Sequence, residues 1–330
     1  MQNPNLGGPK MKKVSITYKI PEAGIDLLKG KYDIWVNPKD KLLTKEELKE
    51  IAKESDALIT MLADPIDSEV LEAGKDRLKI VANYAVGYNN IDIQKAKELG
   101  ICVTNTPDVL TETTADLAWA LMLAVARRIV ESDAFTREGK FDGWKPELFL
   151  GTDVYGKTLG IIGFGSIGQA VARRAIGFNM KVYYYQRHRL SSEEEKALNA
   201  TYLPLDELLK VSDYVSLHVP LTDETYHMLD KEKLSLLKKS AFIINTARGP
   251  VIDEQVLYEK LKNKEIAGAA LDVYENEPQL TPGLKDLDNV VLTPHIGSAS
   301  HETRSRMAQM VAKDIIQALK GETPEHLIWR

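Results

Sequence analysis

A chain of 330 residues, 44% hydrophobic and 28% charged, is long enough for two domains that each bury a core. Its formal net charge is −5 with acids and bases interspersed, so it carries no electrostatic footprint for nucleic acid. No uncharged apolar run approaches the roughly 18 residues of a membrane span. The opening MQNPNLGGPK lacks the apolar core of a secretory signal and reads as a flexible leader before Met11. The single cysteine, Cys102, lies in the strand-like run Ile101–Thr104; it rules out an intrachain disulfide and suits a reducing, cytoplasmic compartment.

From Lys12 onward, short apolar strands alternate with helical stretches. Strands are expected at Val14–Tyr18, Ile34–Val36, Ala57–Met61, Ile80–Tyr84 and Ile101–Val103. Helical segments fall between them at Glu22–Leu28, Lys45–Ser55, Ser68–Ala73 and Asp92–Leu99, with Thr44 and Glu47 forming a capping box. The helix Thr111–Arg128 is hydrophobic nearly all round beyond its first turn and should be buried on several sides. A second series of strands comes after it at Leu159–Ile162, Val182–Tyr185, Tyr214–Val219, Ala241–Asn245, Ala267–Val273 and Val290–Thr293. The final helix, His301–Leu319, has no strand after it and most simply packs back on the first domain. Alternating strands and helices imply parallel sheets with right-handed crossovers. The expected fold is therefore α/β with two doubly wound domains, one of residues 1–108 and 299–330 and one of residues 109–298. No His, Cys or carboxylate cluster has metal-ligand spacing, so no metal is expected.

The stretch KTLGIIGFGSIGQAVARRAIGFNMKV, Lys157–Val182, is the most informative. A short strand breaks into Gly163-Phe164-Gly165-Ser166-Ile167-Gly168, a helical pattern runs from Gln169 to about Gly177, and a strand comes next at Lys181–Tyr185. This order is that of a dinucleotide-binding unit. Gly163 permits the turn, Gly165 lets the backbone approach a pyrophosphate, and Gly168 lets helix and strand pack closely. The phosphates would then meet the unpaired N–H groups of the helix N-terminus. About 20 residues beyond such glycines, NAD-binding chains place an Asp or Glu against the ribose 2′-OH. Here Gln186-Arg187-His188-Arg189 comes after Tyr185, which is neutral or basic, so NADP is the expected preference with NAD as the alternative.

Three ionisable residues lie just past strand ends in the second series, where open α/β sheets bind their ligands. They are Arg248 in NTARGP, Glu277 in DVYENEP and His295 in LTPHIGSAS. A histidine exchanges a proton with an oxygen near neutral pH, and a carboxylate on its other ring nitrogen stabilises the imidazolium and fixes the tautomer. An arginine fork grips a carboxylate and polarises an adjacent carbonyl. Together with a hydride carrier, these parts suffice to reduce a 2-oxo acid.

At these residues the sequence resembles the D-isomer-specific 2-hydroxyacid dehydrogenase family over Met11–Gly321, in the strings TARGPVID, AGAALDVYENEP and VVLTPHIGSAS. The strings ITMLADPID, VANYAVGYNNID and TNTPDVLTETTADLAWALML, with FDGW and FLGTDVYGKTLGIIGFG, are similar to its glyoxylate/hydroxypyruvate reductase branch. The resemblance implies a Rossmann-type cofactor domain and a flavodoxin-like substrate domain, with Arg248, Glu277 and His295 as the catalytic set. It implies that the main-chain N–H groups of Val86 and Gly87 receive the substrate carboxylate and that Leu62 lines the pocket. Asp272 would contact the nicotinamide carboxamide, with Thr114, Val219, Pro220, Thr246 and Ala247 as further cofactor contacts. The helix Thr111–Arg128 and the loop through Phe141 and Trp144 offer more apolar surface than one domain needs to cover itself, so a homodimer is expected; the resemblance is consistent with this and implies that Trp144 approaches the partner subunit's active-site cleft. The small 2-oxo acid substrates expected are glyoxylate and hydroxypyruvate. Two alternatives are an enzyme of D-lactate or phosphoglycerate type and a non-catalytic, dinucleotide-sensing corepressor. The chain ends at Arg330, without room for the regulatory domain of many phosphoglycerate dehydrogenases, and its tail PEHLIWR departs from the usual ending. Formate dehydrogenases place glutamine where Glu277 stands, and phosphite dehydrogenases lysine where Val86 stands.

Overall fold

A computed structural model of the protein describes residues 11–329, so the leader read from the first ten residues lies outside them. The chain divides into two compact units, one formed by residues up to Leu110 together with Ala299 onward, the other by Thr111–Ser298.

The first unit is built on a five-stranded, wholly parallel sheet of β1 (Lys13–Ile16), β2 (Asp33–Val36), β3 (Ala57–Thr60), β4 (Ile80–Asn83) and β5 (Cys102–Thr104). Its order, β2-β1-β3-β4-β5, is flavodoxin-like, with the direction of winding reversing between β1 and β3. The capping box forms as read, Thr44 accepting from the Glu47 amide at the head of the helix Lys45–Glu54. The helix His301–Leu319 packs across Glu22–Leu28. At that crossing a Cβ on Gly24 would lie 2.4 Å from the carbonyl oxygen of Ala308, an approach that only glycine permits. The tail docks on the sheet edge: Leu327 bridges Thr104 antiparallel, and the Ile328 amide donates to the Val103 carbonyl at 3.0 Å. Ile328 and Trp329 pack on the core, and the His326 amide donates at 3.3 Å to the wholly buried Asp314, whose carboxyl burial pushes above the usual range.

The second unit holds seven parallel strands: β6 (Thr158–Ile162), β7 (Lys181–Tyr185), β8 (Ala200–Tyr202), β9 (Tyr214–Leu217), β10 (Phe242–Asn245), β11 (Gly268–Leu271) and β12 (Val290–Leu292). Their order, β12-β11-β10-β9-β6-β7-β8, reverses between β6 and β9. Three-residue β8 at the edge is too short for a period-2 signal and is not expected from sequence. Several expected strands end early; Ala267–Val273, for example, pairs only over Gly268–Leu271, because Asp272 and Val273 already turn into the loop beyond.

The apolar helix runs over Thr111–Ala126 rather than to Arg128. The Thr152 amide takes the Ala126 carbonyl at 2.8 Å, and Arg128 adopts a left-handed φ of 56° before a separate helix, Ile129–Arg137, begins. Trp119, Leu121 and Met122 are buried in one cluster with Leu159, Ile161 and Phe242 of the sheet. The helix is thus covered by its own unit.

Candidate active site

Gly163 leaves β6 at the point where the winding reverses. It adopts a φ of +90°, and a Cβ there would stand 2.4 Å from the His218 carbonyl oxygen beyond β9. A Cβ on Gly168 would meet the Gly163 carbonyl at 2.2 Å, so the turn and the helix Ser166–Ala175 close on each other only with glycine at both positions. Gly165, the N-cap, is different: no heavy atom lies within 4 Å of its would-be Cβ. That space lies over the N-terminal turn carrying Ser166 and Ile167. Phe164 is buried and stacks on Tyr184 with ring centroids 4.2 Å apart. Val219 borders the same turn, its Cγ1 2.8 Å from the would-be Cβ of Gly163, and Pro220 is the exposed residue after it.

Just past β10 and β11, Thr246 Oγ1 and Asp272 Oδ2 are buried without a hydrogen-bond partner among the described residues. The other oxygen of Asp272 accepts from Thr293 Oγ1 at 2.6 Å and the Ile296 amide at 2.8 Å. Burial nevertheless pushes this carboxyl above the usual range. Thr114 Oγ1 donates to the Gly297 carbonyl at 3.2 Å, and a Cβ on Gly297 would touch both Thr114 and Asp272 Oδ2 at 3.5 Å. Unsatisfied buried groups of this kind cost about 1–3 kcal/mol each unless a ligand completes them. Their chemistry suits a carboxamide and a dinucleotide's hydroxyls.

At the end of β7, Arg187, His188 and Arg189 are exposed, and Gln186 Nε2 donates to the His188 carbonyl at 2.7 Å. The basic cluster is not uniform. Arg189 closes its fork on Glu195 at 2.8 and 2.9 Å, and Tyr184 donates to the same carboxylate at 2.9 Å. The Arg189 fork holds the Glu195 carboxyl down at about 2. Arg189 therefore anchors the loop through a partner that sequence reasoning did not weigh.

Arg248, Glu277 and His295 lie beyond β10, β11 and β12, three adjacent parallel strands, and leave the sheet at the same edge. His295 Nδ1 lies 2.9 Å from Glu277 Oε2, and Glu277 Oε1 accepts the Tyr274 amide at 3.1 Å. Burial raises the Glu277 carboxyl, but the hydrogen bond and charge of His295, the Tyr274 amide and the Arg248 charge outweigh it and hold it below the usual range. Burial pushes the Arg248 guanidinium below its ordinary value, with the Glu277 charge opposing. It donates to the Ala247 carbonyl at 2.7 Å, while Asn245 Nδ2 donates to the Arg248 carbonyl at 3.0 Å and fixes the loop. His295 takes a φ of +56°, a region that costs a non-glycine residue about 1–2 kcal/mol. His227, beside Glu275, takes a similar φ of 48°.

In the first unit, Leu62 lies just past β3, and Val86 and Gly87 lie in the turn after β4. Asn105 Nδ2 donates to the Val86 carbonyl at 2.8 Å and Asn83 Nδ2 to the Gly87 carbonyl at 2.9 Å. Asn90 in turn holds the Met61 and Asp64 carbonyls at 3.2 and 3.0 Å, so a set of side-chain amides shapes both loops.

The model of the family described as "D-isomer specific 2-hydroxyacid dehydrogenase, NAD binding domain" matches residues 119–297. The chain belongs to this family. It is 54% identical over 322 residues to a glyoxylate reductase of Pyrococcus horikoshii and 52% identical over 322 residues to one of Thermococcus onnurineus, covering 96% of each chain in both cases. An NADPH-dependent glyoxylate/hydroxypyruvate reductase of Sinorhizobium meliloti, solved with NADP and malonate, superposes with a TM-score of 0.85 at 30% identity, covering 97% of both chains. The enzyme is thus an oxidoreductase acting on CH–OH groups, and it binds a nicotinamide dinucleotide. Among the described residues no helix is long and apolar enough to cross a membrane, and no group of His, Cys, Asp and Glu could hold a metal ion.

Sequence reasoning passed over His218, whose SLHVP setting carries no motif of its own. Burial pushes this imidazole down to about 3, and it pairs with Ser216 Oγ at 2.8 Å, so it is a neutral structural group beneath the glycine turn.

The open space at Gly165 yields a test. Gly165→Ala should leave the thermal midpoint of the free enzyme within about 2 °C, since the added methyl meets nothing. It should weaken dinucleotide binding at least about tenfold, which is 1.4 kcal/mol. Fluorescence titration showing unaltered affinity would mean that the pyrophosphate does not approach here.

Proposed function

We propose that this enzyme reduces small 2-oxo acids to D-2-hydroxy acids in the cytoplasm, with glyoxylate and hydroxypyruvate as its substrates and NADPH as its preferred cofactor. The hydrogen bond between His295 Nδ1 and Glu277 at 2.9 Å, beside Arg248, carries the proposal. The names of its relatives support the substrate class.

Bound dinucleotide supplies the hydride. With Nδ1 committed to Glu277, His295 keeps Nε2 for the proton that the substrate's carbonyl oxygen must receive. Glu277 fixes the tautomer and favours the protonated ring. Arg248 grips the substrate carboxylate and polarises the carbonyl, its planar fork suiting both tasks. The amides of Val86 and Gly87 are proposed as further donors to that carboxylate, with Leu62 lining the pocket. Thr246, Ala247, Asp272 and Thr114 are proposed to hold the nicotinamide end.

His295→Ala should lower kcat for glyoxylate by a factor of about 10²–10⁴ with cofactor binding kept, and a fall under threefold removes it from the role. Glu277→Gln takes away the anion that favours imidazolium. Reduction needs the protonated ring, so the loss of activity with rising pH should begin at lower pH in this variant. An unchanged pH profile would uncouple Glu277 from the histidine.

The NADPH preference rests on exposed Arg187 and His188, with Arg189 tied to Glu195. Gln186 carries no charge to repel a 2′-phosphate, and a charge-assisted hydrogen bond from Arg187 contributes about 1.5–3 kcal/mol. Arg187→Ala should weaken NADPH more than about tenfold and leave NADH nearly unaltered. A wild-type kcat/KM favouring NADH tenfold or more would sink this preference.

A homodimer forms part of the proposal. The apolar surface that supports it is not on the helix Thr111–Ala126 but beyond it in the chain, at Ile129, Val130, Phe141, Leu150, Tyr155 and Trp144, the last 84% exposed. Light scattering should give twice the 36.9 kDa of one chain at micromolar concentration; a single chain's mass refutes it.

A further inference from the structure

The loops that carry Arg248 and Glu277 are in main-chain contact. A Cβ on Gly249 would lie 1.9 Å from the carbonyl carbon of Tyr274 and 2.4 Å from the Glu275 amide nitrogen, so the backbones pass each other with no side chain between them. Just beyond this crossing, two carboxylates exchange hydrogen bonds with each other's backbone. The Glu275 amide donates to Glu254 Oε2 at 2.8 Å, and the Glu254 amide donates to Glu275 Oε2 at 3.1 Å. Glu254 is 3% exposed, and its second oxygen accepts from the Thr281 amide at 3.1 Å and the Thr281 hydroxyl at 2.7 Å. Glu275 Oε1 meets His227 Nε2 at 2.5 Å, while the His227 amide donates to the Pro250 carbonyl at 2.8 Å. Glu254 therefore holds the Glu277 loop on both sides of Glu277, at positions 275 and 281, from a point six residues past Arg248. His227 ties the same two loops from a third segment.

We propose that Glu254 is a positioning residue for the reaction. With Glu275 as its reciprocal partner, it sets the separation of the Arg248 guanidinium from the Glu277–His295 pair. A neutral brace of the same size would not serve. Glutamine has one acceptor oxygen and one NH2 group, so it can accept from the Thr281 amide or from the Glu275 amide but turns N–H donors on the other. The inference rests on Arg248, Glu277 and His295 being the reacting groups.

The test is Glu254→Gln in the full chain, assayed with glyoxylate and NADPH. Glu259→Gln, on the helix Glu254–Lys262 that Glu254 begins, is the control and His295→Ala runs in parallel. The expected result is a tenfold or greater fall in kcat, an NADPH dissociation constant within twofold of wild type, and a pH profile displaced as the Glu277–His295 contact loosens. Thr281→Val, which deletes one hydroxyl, should lower kcat by two- to fivefold. The proposal is overturned if Glu254→Gln keeps kcat within threefold with the wild-type pH profile, or lowers only the thermal midpoint, or weakens NADPH as much as it slows turnover. Should Glu254→Gln fail to fold, Thr281→Val decides on its own, a kcat within 1.5-fold of wild type overturning the proposal. An active His295→Ala would instead sink the assignment of the reacting groups; an inactive His295→Ala beside an unimpaired Glu254→Gln sinks only the brace.

Discussion

Parallel pairing of β10, β11 and β12 is the constraint on which the site depends. In a parallel sheet every strand must be re-entered from the same side, so every loop after a strand leaves at one edge. Arg248, Glu277 and His295 share that edge for this reason alone, although the chain runs 47 residues from first to last. An antiparallel strand in this place would send its loop to the opposite edge, one strand length of about 3.3 Å per residue away, and the contact between His295 and Glu277 could not form.

That edge is also where the unit accepts destabilising features. His295 sits in a left-handed backbone conformation, Arg248 keeps its charge against desolvation, and Asp272 buries a carboxylate oxygen without a partner among the described residues. The offsetting stability lies in the strands beneath. β9, β10 and β11 are buried along their whole length, and the apolar helix Thr111–Ala126 covers one face of their sheet. Strain collected over a rigid layer keeps the groups above it in place without moving the layer.

The cofactor end obeys a different rule. Glycines 163 and 168 are demanded by backbone atoms 2.2–2.4 Å from where a Cβ would stand, whereas Gly165 faces open space. The first two make the turn possible; the third leaves room above it. Basic residues after β7 divide in the same way: Arg189 is an internal anchor for Glu195, and Arg187 remains on the surface as the charge a phosphate would meet. Neighbouring residues of like chemistry thus differ in role: one is tied into the fold and the other is left exposed.

The local pattern of the chain was enough to read the parallel α/β class, the glycine turn and the three ionisable residues that share a sheet edge, because strand period, turn chemistry and the loop after each strand are short-range properties. The helices Glu22–Leu28 and His301–Leu319 carry the same bounds in the structure as in the sequence, each marked by its own apolar face and ends. What the sequence did not determine was whatever needs a partner distant along the chain. Arg189 could not be told from Arg187 until Glu195 was brought to it by the turn after β7. The break at Ala126 comes from Thr152 docking on the helix end, 26 residues on. Glu254 and Glu275 carry no local signal of their pairing, which folding creates by setting each carboxylate on the other's backbone amide. Such pairings are decided by packing and by the need to satisfy buried polar groups, and neither is encoded in a local period.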